Sequence, residues 1–141
     1  MPAFWDTSAL VPLCVLGQAN RAIRRAFDAH APVIWWAAAV EARSALERMR
    51  FERTITEAAY WNSRQRLDQL IGSCREIQPT DAVRDLACAE LERYRLRASD
   101  ALQLAAAFVW CKQNPRGRLF VSIDNRLSMA ARQIGFQVPE F

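Results

Sequence analysis

The sequence has 141 residues, enough for one globular domain with a buried core and too few for two. Hydrophobic residues make up 52% and charged residues 24%, which excludes a disordered or fibrous chain, and no apolar run approaches the roughly 20 residues that span a bilayer. The net charge of +4 rests almost wholly on arginine, since Lys112 is the only lysine; it fits a polyanionic partner without identifying one.

Met1 to Asp6 has no basic stretch and meets an acid at once, so no secretory leader is expected and a cytoplasmic location is. Residues 3–5 are a short apolar run ending at Asp6, which predicts a buried strand. From Ser8 the pattern turns helical, with Pro12 near the start, and Gln18 to Ala29 reads as a basic amphipathic helix. Pro32 breaks the chain before a second strand over Val33-Ile34-Trp35-Trp36. Residues 37–51 form a helix with Val40, Leu46 and Met49 inward and Arg43, Glu47 and Arg50 outward. Thr54-Ile55-Thr56-Glu57 matches a capping box, with Thr54 as N-cap, opening a helix to about Ile71 that Gly72 stops. Arg75 to Gln78 reads as a short strand, and Pro79-Thr80-Asp81 starts a helix through Arg93. Ser99 caps a mostly apolar helix over Asp100 to Lys112, and Asn114-Pro115-Arg116-Gly117 makes a turn. Leu119 to Ile123 is a strand ending at Asp124, followed by a helix to about Ile134 and a last short strand near Val138.

Strands alternating with helices imply a parallel sheet covered on both faces, and residues 1–141 carry no linker or repeat that divides them. Ligands of such sheets bind at the carboxyl ends of the strands, where Asp6 and Asp124 fall. Cys14, Cys74, Cys88 and Cys111 are far apart, without a C-x-x-C pair, and read as reduced packing residues rather than a zinc site. The only histidine, His30, stands at a helix end, as a cap or surface residue. Arg21, Arg24 and Arg25 read as a solvated helix face that could touch phosphate, and Trp5, Trp35, Trp36, Trp61 and Trp110 as packing residues rather than base-stacking platforms.

Four acids share an apolar setting: Asp6 after Ala-Phe-Trp, Glu41 among alanines, Asp100 heading an apolar helix, and Asp124 after Leu-Phe-Val-Ser-Ile. Each alone has an ordinary structural explanation, as a cap, a turn residue or a solvated helical side chain. Gathered in one pocket they would repel one another unless a cation neutralised them, and no lysine is near. Oxygen-only ligands select Mg²⁺ or Mn²⁺, and such an ion activates water for in-line attack on a phosphodiester.

These segments resemble the PIN-domain nucleases, and within them the VapC-type toxins of bacterial toxin–antitoxin pairs. Asp6-Thr7-Ser8-Ala9-Leu10 is similar to the family's first motif, and Val40-Glu41-Ala42-Arg43-Ser44 to its second. Leu96-Arg97-Ala98-Ser99-Asp100-Ala101-Leu102-Gln103-Leu104-Ala105 resembles the third, the most specific of the set, and Val121-Ser122-Ile123-Asp124-Asn125-Arg126-Leu127 the fourth. The resemblance implies a three-layer α/β/α sandwich with a short, mainly parallel sheet. It also implies metal-dependent endonucleolytic cleavage of RNA, a homodimer, and an antitoxin partner. It makes Asp6, Asp100 and Asp124 the metal ligands, with Glu41 acting through water and Thr7, Ser8 and Ser122 supporting the site. Trp5 and Trp35-Trp36-Ala37 depart from the family pattern where smaller, aliphatic or hydroxylated residues are usual.

Phosphoryl-acceptor domains also place aspartates at strand ends, but they need a second acid or a late-strand lysine; here Thr7 and Ser8 follow Asp6, and Lys112 lies in a helix. A PIN nuclease of RNA processing, or a binding module that has lost catalysis, are the other readings; loss of catalysis should have removed at least one acid, and all four remain.

Overall fold

The computed structural model describes residues 1–141. One parallel sheet is built from β1 (Pro2–Trp5), β2 (Ala31–Trp35), β3 (Arg75–Ile77) and β4 (Leu119–Val121), in the order β3-β2-β1-β4. Phe4 lies opposite Val33 on one side and Phe120 on the other. Two helices fill each crossover: α1 (Thr7–Cys14) and α2 (Arg21–Ala29), then α3 (Ala38–Phe51) and α4 (Glu57–Gly72), then α5 (Asp81–Arg93) and α6 (Ala98–Trp110); α7 (Asn125–Ile134) follows β4. The chain steps outward from β1 to β3, then returns across the sheet to β4. Right-handed crossovers in these opposite directions place α1 to α4 on one face and α5 and α6 on the other. The expected three-layer α/β/α sandwich is therefore the fold, with α2 against β2 from one side and α6 against β2 and β3 from the other. No helix is long and apolar enough to cross a membrane.

Strands buried on both faces need apolar side chains throughout, and Phe4, Trp5, Val33, Ile34, Phe120 and Val121 supply them. Each such side chain contributes roughly 2 kcal/mol by leaving water. Phe4 stacks on Phe120 at 5.4 Å, and Trp5 meets Phe27 of α2 edge-on at 5.4 Å. α6 buries Ala101, Ala105, Ala106 and Ala107, whose small side chains let the helix lie close to the sheet. A second core under α1, α3 and α4 holds Val11, Cys14, Ala42, Leu46, Tyr60 and Leu67.

Several boundaries differ from the sequence reading, each for a local reason. α2 begins at Arg21 rather than Gln18, because the Asn20 side chain accepts the Ile23 N–H at 2.8 Å and so caps the helix. α4 is capped by Thr56, which accepts the Ala59 N–H at 3.1 Å; Thr54 instead donates to the Met49 carbonyl behind it, and Glu57 turns to Arg50 at 3.0 Å. α6 begins at Ala98 with Arg97 at the N-cap position, so Ser99 lies inside the helix and caps nothing. β4 ends at Val121, and the last strand is a single bridge between Leu119 and Gln137. Val40 is 68% exposed rather than inward, because Ala38, Ala42 and Leu46 form the buried stripe of α3. All four cysteines are free, as read, yet Cys88 is exposed and packs nothing. Burial pushes the Cys14 thiol up to about 12 and Cys74 up to about 11, which leaves both inert. Trp5, Trp35 and Trp110 are buried, whereas Trp36 and Trp61 are about half exposed.

α7 stops at Gly135, whose φ of +118° is left-handed backbone that favours glycine. A Cβ there would also stand 3.0 Å from Pro115 Cγ. Gly135→Ala is expected to lower stability by roughly 1–2 kcal/mol, read from urea unfolding at neutral pH.

Candidate active site

In the strand order, β1 is where the direction of winding reverses, and β4 lies on its far side. A crevice opens at the carboxyl ends of two strands that part in this way. Asp6 leaves β1 at that point, its N–H still bonded to the Val121 carbonyl of β4 at 2.9 Å. It stands at the N-cap position of α1, yet its side chain makes no capping hydrogen bond of standard geometry. Oδ2 instead accepts from the Ser8 hydroxyl at 2.5 Å and the Ser122 hydroxyl at 2.9 Å. Both serines are held in turn: the Ile123 N–H donates to Ser8 Oγ and the Asp124 N–H to Ser122 Oγ, each at 3.1 Å. The turn after β1 and the turn after β4 are thereby stitched together around one carboxylate.

The other acids arrive on helix starts. Asp124 caps α7, its Oδ1 accepting the Leu127 N–H at 2.9 Å, which leaves Oδ2 available. Asp100 lies in the first turn of α6 and Glu41 in the first turn of α3, where the helix dipole favours a negative charge. Gln103, one turn along α6 from Asp100, is fully buried. Its amide donates to Thr7 Oγ1 at 2.8 Å and to Glu41 Oε1 at 3.3 Å, and so ties α1, α3 and α6 to one another. Of the residues expected to support the site, Ser8 and Ser122 bond Asp6 directly and Thr7 accepts from Gln103. Gln103 had no role in the sequence reading, although a lone amide amid Ala-Leu-Gln-Leu-Ala-Ala is the signal that could have found it.

The electrostatics order these acids as a row. Burial raises the Asp6 carboxyl to about 6, against the hydroxyls of Ser8 and Ser122, and the charge of Asp100 adds to the rise. Burial also raises Glu41 to about 7, with repulsion from Asp6 and Asp100 added and the Gln103 amide opposing. Asp100 is pushed up by its own burial and by Asp124, while Arg97 and Arg126 pull it down. Repulsion therefore runs from Glu41 through Asp6 and Asp100 to Asp124, and none of these acids forms an ion pair.

This donor set has the chemistry a hard divalent cation takes: it is all carboxylate, and none of its members is held in an ion pair, although Arg97 and Arg126 act on Asp100 through space. No three acids converge at ligating distance, so the set is open rather than a closed cage. An open set matches Mg²⁺ or Mn²⁺, which keep several waters and take only one or two carboxylates directly.

No family model matches the sequence, and no curated protein matches it. The fold is similar to that of a chain from a toxin–antitoxin complex of Klebsiella pneumoniae, with a TM-score of 0.63, 17% identity and 88% of each chain covered. It is also similar to the crystal structure of PAE2754 from Pyrobaculum aerophilum, with a TM-score of 0.64 and 20% identity over 98% of this chain and 89% of that one. At such identities the likeness is one of fold.

The Asp6 shift has a consequence for stability. A carboxyl at about 6 in the folded chain and 3.8 when free binds its proton more tightly folded than unfolded. Stability without divalent ions therefore falls as pH rises from about 4 to about 7, by on the order of 3 kcal/mol for a shift of about two units. Asp6→Asn removes the charge and keeps an oxygen for both serine hydroxyls. In EDTA this variant is expected to be the more stable protein at pH 8, with the difference shrinking to nothing near pH 4. A difference independent of pH would rule out the burial of a charge as its cause.

Proposed function

We propose that this chain is a metal-dependent endoribonuclease of the PIN type and the toxin of a toxin–antitoxin pair. The observation that carries this reading is the row of carboxylates at the point where the sheet's winding reverses, two of them raised towards neutrality and none held in an ion pair. The motif resemblance supports the assignment residue by residue. The toxin role is supported by a chain of the same fold in a toxin–antitoxin complex. The partners under this reading are an RNA substrate and a cognate antitoxin protein; the homodimer and the cytoplasmic location come from the family resemblance and the sequence.

Asp6, Asp100 and Asp124 would hold a Mg²⁺ or Mn²⁺ between them, one or two directly and the remainder, like Glu41, through water, and the ion would supply positive charge against the phosphoryl oxygens and a lowered pKa for water. The side chains do the rest. Ser8 and Ser122 lock Asp6 in one rotamer, so the carboxylate is preorganised. Gln103 occupies Glu41 Oε1 and leaves Oε2 to receive a proton from the attacking water. A carboxyl raised to about 7 is matched to that task near neutral pH. Asp124 spends Oδ1 on its helix cap and so presents one oxygen in a fixed direction.

The full chain, incubated with a mixed RNA pool, is expected to cut in Mn²⁺ and not in EDTA. Asp6→Asn and Asp100→Asn should each lower the rate by at least about a hundredfold, and Glu41→Gln should lower kcat more than it raises KM. Parent-like rates in both aspartate variants would overturn the assignment.

A further inference from the structure

Beside the acids lies a cavity of about 540 Å³, lined by Arg97, Ser99, Asp100, Asp124, Asn125 and Arg126 and by no hydrophobic residue. Asp6 and Glu41 do not line it. The two guanidiniums act on Asp100 through space, yet neither forms an ion pair with Asp100 or Asp124. Elsewhere on this surface Arg43, Arg50, Arg84 and Arg132 each find a carboxylate. Arg97 and Arg126 share a cavity with two acids and remain unpaired.

The formal charges of the lining cancel, with two guanidiniums against two carboxylates. A divalent cation held by the acids would turn the same cavity to a charge of +2, leaving both guanidiniums facing open space. An anion with tetrahedral oxygens suits two planar forks approaching from different helix starts, and Ser99 and Asn125 add neutral donors. Resting on the nuclease reading above, we propose that Arg97 and Arg126 form a clamp for the RNA backbone phosphate next to the one that is cut. The cavity takes in Asp100 and Asp124 and not Asp6 or Glu41, so the clamp holds the strand beside those two acids. Its contribution is to substrate binding and to the direction in which the strand lies, not to the chemical step.

Both arginines are exposed and make no side-chain hydrogen bond to the protein, so replacing them leaves the fold intact. The test compares parent, Arg97→Gln, Arg126→Gln and the double variant on a short fluorescent single-stranded RNA in Mn²⁺ over a range of salt. Arg116→Gln is the control; it removes the same charge from the turn before β4, at the amino ends of the strands and away from the cavity. The double variant is expected to raise KM about tenfold with kcat within about twofold of the parent. The slope of log(kcat/KM) against log salt should shrink by about 0.7 for each guanidinium lost, as for a phosphate contact on a single strand. A double variant indistinguishable from Arg116→Gln in KM and slope would overturn the clamp, and so would a fall in kcat alone. Should the parent bind RNA without cutting it, the nuclease reading fails, and the same comparison on Kd by fluorescence anisotropy decides the clamp. A parent that neither cuts nor binds RNA overturns both.

Discussion

Two serine hydroxyls donate to one oxygen of Asp6, and the geometry of the whole carboxyl edge follows from those bonds. Ser8 comes from the first turn of α1 and Ser122 from the turn out of β4, which are distant in sequence and adjacent only because β4 returns to pair with β1. Each hydroxyl also accepts a backbone N–H from the turn after β4, so the carboxylate, both serines and two peptide groups form one satisfied network. Asp124 inherits its position from that network, since its own N–H is among the donors. Removing one hydroxyl would leave a buried carboxylate short of a partner and loosen the turn that carries the next acid.

The same network explains why crowding is tolerable. Burial pushes the Asp6 carboxyl up, and the hydroxyls of Ser8 and Ser122 oppose it, leaving it at about 6. Glu41 has only one amide on one oxygen and rises further, to about 7. Asp6 has two hydroxyls opposing its burial, while Glu41 has one amide and also feels the charge of Asp6. Under the proposed function this divides the labour: the carboxylate with more donors holds a cation, and the one with fewer exchanges a proton. The chain is less stable for carrying them, and a bound cation would return that stability by linkage.

The sequence made the sheet legible because a strand buried on both faces reads as an uninterrupted apolar run, and Ala-Phe-Trp and Leu-Phe-Val each stop at a polar residue. The acids were legible for the same reason, since each closes or opens an apolar segment. Helix caps were not, because capping depends on one side-chain rotamer: the capping-box pattern points to Thr54, and only the path of the chain after α3 selects Thr56. Val40 was misplaced because α3 buries its stripe of Ala38, Ala42 and Leu46, and alanine carries little weight in a hydrophobic pattern. Gln103 stayed invisible because its meaning lies in Thr7 and Glu41, which are distant in the chain.

Glu41 depends on a second, smaller core that the sheet does not supply. α3 carries it, and α3 is fixed against α4 by Leu46, Tyr60 and Leu67 rather than by any strand. Tyr60 is buried and donates its hydroxyl to Glu47, while Arg50 sits over the Tyr60 ring and pairs with Glu57 across the α3–α4 turn. Those contacts lie at the far end of α3 from Glu41, so they set the tilt of the helix without touching the site. At the near end the Gln103 amide is the single side-chain bond that draws Glu41 to the other acids. The site therefore has two kinds of member: Asp6 and Asp124 are placed by strand pairing, and Glu41 by the packing of two helices and one amide. A change in the small core would move Glu41 relative to fixed aspartates; under the proposed function it would alter the proton acceptor while the groups proposed to hold the cation stay where the sheet puts them.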